Sequence, residues 1–211
     1  MTGSAFLLLA LTLVVAAGNW VAVERERKLL EYVCKPLTMV VLIATTLALD
    51  VGDPTVRTWF IVALVLCLVG DVFLMLPQDL FVFGLGAFLL GHIAYVVGMQ
   101  VDGVDVTRVG LGLVIVALGM AFVGLRIVSN VRASDAAEMA GPVVAYMLVI
   151  SAMVASAFGT GHAFGIAGAL SFYASDALIA WNRFVGKTRH DRLAVMVTYH
   201  LGQIGLVLSL L

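Results

Sequence analysis

Two carboxylates stand where carboxylates are expensive. Asp71 sits in Val69-Gly70-Asp71-Val72-Phe73-Leu74-Met75-Leu76-Pro77, and Asp176, 105 residues downstream, in Phe172-Tyr173-Ala174-Ser175-Asp176-Ala177-Leu178-Ile179-Ala180. Each acid interrupts an apolar run. Placing Asp at the middle of an inserted helix costs about 2.5–3.5 kcal/mol, so an intramembrane acid is a candidate for function whose partner has to be found. Two such acids close together in a low-dielectric site cannot easily both ionise. One then keeps its proton near neutral pH and can serve as a general acid, while the other stabilises a cation or orients and deprotonates water.

The elements that must position them are membrane helices. Hydrophobic residues make up 63% of the 211 residues and charged residues only 12%, with a mean hydropathy of +1.12. A soluble domain carries about 25% charged residues. The net charge of −1 gives nucleic acid nothing to bind to. Cys34 and Cys67 lie in apolar segments and read as small buried hydrophobes rather than a disulfide or a metal site. Against the ~20 residues a helix needs to cross ~30 Å of hydrocarbon, eight apolar segments emerge, at 4–23, 32–49, 59–76, 80–100, 109–127, 139–158, 162–183 and 193–211. No basic residue precedes the first apolar run, so it reads as a helix and not as a secretory signal. The linkers are short and leave no room for a soluble domain. The expectation is an all-α integral membrane protein, one transmembrane domain over 1–211 built as a bundle of eight helices.

Basic residues orient the bundle. Arg25, Arg27, Lys28, Lys35, Arg126, Arg132, Arg183, Lys187, Arg189 and Arg192 adjoin the loops after helices 1, 3, 5 and 7, whereas Arg57 and Arg108 alone fall on the other side. By the positive-inside rule both termini should face away from the cytoplasm. Asp71 lies six residues before Pro77 and Asp176 seven before Arg183, which at 1.5 Å per residue puts both about 9–11 Å inside the cytoplasmic end of their helices. Lys35, Asn19, Glu138, Tyr199 and Gln203 fall toward that same side, and His92 nearer mid-membrane. A polar chamber opening toward the cytoplasmic leaflet would gather such residues, since unsatisfied donors facing lipid cost several kcal/mol each.

Helical spacing gives the faces. Phe172, Ser175, Asp176, Ile179 and Arg183 share one face of helix 7; Phe88, His92 and Tyr95 share one in helix 4; Met196, Tyr199 and Gln203 share one in helix 8. Gly84, Gly91 and Gly98 recur every seven residues and read as a close helix seam. Pro36 and Pro142, Asp71 and Asp176, and His92 and His200 are 106, 105 and 108 residues apart. Four helices followed by four similar ones, a 4+4 parallel duplication, would put the two acids in corresponding places.

Lys35-Pro36, Gly70-Asp71 with Leu74-Met75-Leu76-Pro77, then Phe81, Gly84, Phe88, Gly91-His92 and Tyr95, and finally Gly168 to Phe172 with Ser175-Asp176 resemble the motifs of the YhhN family of membrane proteins, which includes lysoplasmalogenases. The resemblance runs from helix 2 to helix 8. It implies a multi-helix fold and hydrolysis of the vinyl ether bond of a lysoplasmalogen, giving a fatty aldehyde and glycerophospho-ethanolamine or -choline. Such a bond is cleaved by protonating its outer alkene carbon and adding water to the resulting oxocarbenium ion, and one acid and one carboxylate suffice.

Asp71 and Asp176 are therefore the expected catalytic pair, with either as the acid. Lys35 could hold the substrate phosphate, lower the pKa of one Asp, or simply snorkel to the interface. Asn19, Tyr95, Tyr146, Ser175, Tyr199 and Gln203 are candidates to bond water or substrate, against a role in joining helices, and His92 is a candidate proton relay. No HxxxH or HExxH spacing marks a metal site, no cofactor is implied, and no GxSxG turn marks a serine nucleophile. A proton-coupled transporter, another membrane lipid hydrolase and a purely structural Asp pair are the competing readings. The short loops favour a bacterial inner-membrane protein.

Overall fold

In a lipid interior every backbone N–H and C=O has to be satisfied within the chain, which leaves long apolar segments little choice but helix. The computed structural model describes residues 2–187 and 189–211, and among the described residues there is no strand. The helices are α1 Gly3–Glu24, α2 Lys28–Ala48, α3 Pro54–Met75, α4 Phe81–Asp102, α5 Val106–Ala133, α6 Ala140–Thr160, α7 Ala163–Phe184 and α8 Asp191–Leu208. Seven of them, α1 to α7, are long and apolar enough to cross a membrane. The polar last helix, with Asp191, Arg192, Tyr199, His200 and Gln203, falls outside that set.

Most boundaries sit close to the expected ones, and the departures have local causes. α3 begins at Pro54 rather than 59, because Asp53 accepts from Thr55 N at 2.7 Å and Pro54 occupies the first turn. α2 begins at Lys28 rather than 32, its polar first turn held by a Lys28–Glu31 pair at 3.3 Å. α5 passes through a π-helical turn at Met120–Gly124 and continues six residues beyond 127, so its polar end, carrying Ser129 and Arg132, is helix and not loop.

Six helices close a ring in the order α2, α3, α4, α6, α7, α8 and back to α2; α1 lies outside against α2 and α8, and α5 lies outside against α6. Two seams are very tight. On α4, a Cβ at Gly91 would come 2.8 Å from Cys67 Sγ, and one at Gly98 would come 2.9 Å from the Phe60 ring, so the seven-residue glycine spacing is the α3–α4 contact. Between α7 and α8 the backbones themselves touch: a Cβ at Gly168 would lie 2.5 Å from Leu206 N, and one at Gly205 would lie 2.7 Å from Gly168 Cα. Buried residues from Ala5 to Val207 belong to one continuous apolar cluster.

Candidate active site

Each ring helix sends one polar side chain to the middle of the bundle. From α3, Asp71 is 1% exposed; its Oδ1 lies 3.1 Å from Lys35 Nζ on α2, and its Oδ2 accepts from Tyr199 OH on α8 at 2.6 Å. From α7, Asp176 Oδ2 accepts from Tyr146 OH on α6 at 2.5 Å and lies 3.0 Å from His92 Nε2 on α4. His92 Nε2 and Tyr146 OH are themselves 2.9 Å apart. His92 lies eleven residues into α4, about 16 Å along the axis, nearer mid-membrane than the acids as expected, and its imidazole still reaches the Asp176 carboxyl.

The two acids belong to adjoining clusters. α3 and α7 stand on opposite sides of the ring, and no hydrogen bond joins the carboxyls, each of which is taken up by its own partners. Phe172, one turn before Asp176 on α7, fills the space between: its ring centroid lies 4.7 Å from that of His92 and 5.3 Å from that of Tyr199. Phe88 packs edge-on against both Phe172 and Tyr199, at 6.2 and 5.8 Å. One aromatic ring therefore separates two acid clusters.

Their surroundings differ. The Asp71 side chain is 2% exposed and tied to a buried ammonium. The Asp176 side chain is 10% exposed. Together with Tyr146 it lines a narrow apolar slot of about 60 Å³ walled by Phe88, Ile150, Tyr173, Met147 and others. A second cavity of about 1420 Å³ including its mouth is charged, with Glu31, Lys35, Arg183, Lys187, Asp191 and Arg192 in its walls. Leu74, Phe81 and Ile179 line both, so the slot and the charged cavity are back to back.

Lys35 does not snorkel to the interface but sits 5% exposed on Asp71, at the wall of the charged cavity. Ser175 turns away and donates to Val195 O at 3.1 Å. Tyr95 donates to Gln203 Oε1 at 2.6 Å, and Asn19 is fully buried with no protein partner for its side-chain N or O. None of these four lines either cavity. Among the described residues no group of three or more His, Cys, Asp or Glu could hold a metal ion.

Several pairings had no sequence signal. Arg183 makes two hydrogen bonds to Asp79, 3.2 and 3.1 Å, and its guanidinium lies 4.1 Å from the centre of the Phe81 ring. Hydrogen bonding to Arg183 holds the Asp79 carboxyl below the usual carboxylate range. Arg192 pairs with Glu31 at 2.5 Å. These contacts join positions 104 and 161 residues apart, and no spacing rule reaches that far.

Residues 30–210 match the YhhN family. The chain is 34% identical over 149 residues to lysoplasmalogenase TMEM86B of Homo sapiens, covering 71% of this chain and 62% of that protein. It is 33% identical over 152 residues to the lysoplasmalogenase of Mycobacterium tuberculosis, covering 69% of this chain and 57% of that protein. The chain thus spans about 62% of the length of the mammalian relative. No solved structure matches.

Proposed function

The chain belongs to the YhhN family, and from that premise we propose that it hydrolyses the vinyl ether bond of a lysoplasmalogen, releasing a fatty aldehyde and glycerophospho-ethanolamine or -choline. The observation that carries this reading is a carboxyl, Asp176, held by Tyr146 and His92 in the wall of an apolar slot. The apolar walls of the slot suit an alkenyl chain and not a polar head.

Asp176 is the general acid in this scheme. It gives its proton to the outer alkene carbon, and the electron pair of the double bond forms the new C–H bond. The ether oxygen shares the resulting positive charge as an oxocarbenium ion. Water adds to the charged carbon and returns a proton to Asp176, and the hemiacetal breaks its C–O bond to leave aldehyde and alcohol. His92 and Tyr146 orient the carboxyl. Asp71, paired with Lys35, lies one aromatic ring away, where a carboxylate favours the developing cation electrostatically. Within the proposal Asp71 and Asp176 remain a functional pair, acting through adjoining clusters.

The finer architecture follows the same reading. We take the chain as one transmembrane domain with α8 as an eighth crossing, because α8 closes the ring against α2 and α7. A 4+4 duplication is supported by reciprocity: Asp71 binds α2 of its own half and α8 of the other, and Asp176 binds α6 of its own half and α4 of the other. The distribution of basic residues supports an orientation with both termini outside the cytoplasm, in a bacterial inner membrane. Purified protein incubated with a lysoplasmalogen should release aldehyde and leave the ester lysophospholipid intact; cleavage of the ester alone would make it a lysophospholipase.

A further inference from the structure

We infer that the charged cavity is a headgroup subsite that takes a zwitterionic phosphodiester, with Arg183, Lys187 and Arg192 facing the phosphate and Glu31 and Asp191 facing the cationic end. It rests on the vinyl-ether reading and adds a recognition site to it.

The first support is charge arrangement. Apart from Lys35, which is held by Asp71, three cations and three acids line one cavity, and two of the cations are already pre-oriented by acids, Arg183 on Asp79 and Arg192 on Glu31. A purely anionic ligand would find as many repelling groups as attracting ones. A phosphodiester with a tethered ammonium satisfies both signs.

The second support is distance. Asp176 and Arg183 lie on one face of α7, seven residues and thus about 10 Å apart along the axis. Seven bonds separate the outer alkene carbon of a lysoplasmalogen from its phosphorus, about 9 Å when extended at ordinary bond lengths. An alkenyl chain in the slot beside Asp176 therefore brings the phosphate to the level of Arg183. Between the two, the glycerol passes Leu74, Phe81 and Ile179, the residues common to both cavities.

The third support is the latch at that passage. Arg183 lies on the Phe81 ring while bonded to Asp79, and both partners of this pair are well exposed, at 41% and 69% of their side chains. Exposed pairs of this kind are weak. A phosphate offers the guanidinium the same two-pronged geometry with more charge. Arg183 is thereby placed to exchange Asp79 for the substrate.

The test compares a choline lysoplasmalogen with the 1-alkenylglycerol that lacks the phosphodiester and with the 1-alkenylglycerol phosphate that lacks the amine. In the wild type the choline ester should have the lowest KM, about tenfold or more below that of the phosphate-free lipid. Lys187→Gln, on an exposed side chain, and Arg192→Gln should each narrow that gap, whereas Asp79→Asn, which frees Arg183, should lower KM for the choline ester. Glycerophosphocholine should inhibit and inorganic phosphate should not. Equal KM values for the lipids with and without phosphate, tighter binding of the amine-free phosphate, or equal inhibition by inorganic phosphate would overturn the subsite and leave the vinyl-ether reading standing. Failure of the wild type to cleave any of the three would remove the vinyl-ether reading, and the subsite with it.

Discussion

Asp176→Asn separates chemistry from architecture. Asp176 Oδ2 accepts from Tyr146 at 2.5 Å and faces His92 Nε2 at 3.0 Å, and an asparagine carbonyl oxygen can take both places in the same volume. What is lost to the fold is the difference between a protonated carboxyl and an amide in two neutral hydrogen bonds, about 1 kcal/mol. For a chain of this size that is a fall in Tm of about 2–4 °C. What is lost to the reaction is the proton. General acid catalysis contributes about 10²–10⁴-fold, or roughly 2.7–5.4 kcal/mol of barrier at 1.36 kcal/mol per decade. Aldehyde release by the purified variant should therefore drop by at least a hundredfold in kcat while tryptophan fluorescence still reports a cooperative unfolding near the wild-type temperature. A variant that keeps a tenth or more of wild-type kcat would refute the role of Asp176 as the acid. Loss of activity together with loss of the folded state would refute the separation of the two effects.

The Asp71 cluster should respond in the opposite sense. Lys35→Met leaves a buried carboxylate with Tyr199 as its one remaining partner and should cost about 3–5 kcal/mol by thermal or denaturant unfolding in detergent, with Lys35→Met combined with Asp71→Leu recovering much of it. Tyr146→Phe removes the short bond to Asp176 and should lower kcat with little change in KM for the lysolipid. Gly168→Val pushes two methyls into the α8 backbone, where even a Cβ would be 2.5 Å from Leu206 N; the variant should lose at least about 1–3 kcal/mol and aggregate at lower temperature in a light-scattering ramp. Arg183 depresses the Asp79 carboxyl, so that pair contributes above the free carboxylate value of about 3.9 and is lost as pH falls through the lower folded value. KM profiles of wild type and Asp79→Asn should accordingly run parallel above about pH 5.

Much of the site was readable because intramembrane polar residues are few and helical periodicity says which way they point. Asp71, Asp176, Lys35, His92, Tyr146 and Tyr199 could each be singled out as a polar residue in an apolar helix, and all six meet in the ring. Their pairing was not readable. Equal depth put Asp71 and Asp176 at one level, yet depth carries no information about azimuth around a ring, and α3 and α7 stand opposite each other with Phe172 between their clusters. Ser175 shares a face with Asp176 but bonds to the α8 backbone, since the Gly168–Gly205 contact brings that backbone too close for anything else. The end of α5 was misjudged because Ser129 and Arg132 look like loop, and the helix continues past a π turn through them.

The reciprocal grip of the two acids also gives assembly a direction in time. Lys35 precedes Asp71, so α3 enters the bilayer with its ammonium partner already made, but Tyr199 follows 128 residues later. Asp176 has the reverse history, since His92 and Tyr146 are both in place 84 and 30 residues ahead of it. During synthesis the first half therefore waits with an acid half satisfied, and the second half arrives at a receptor already built. Insertion of α8 is the step that completes both ends of the joint. A nascent chain halted before Tyr199 leaves the membrane holding a charge whose last donor has not been translated, which is the kind of intermediate that membrane quality control removes.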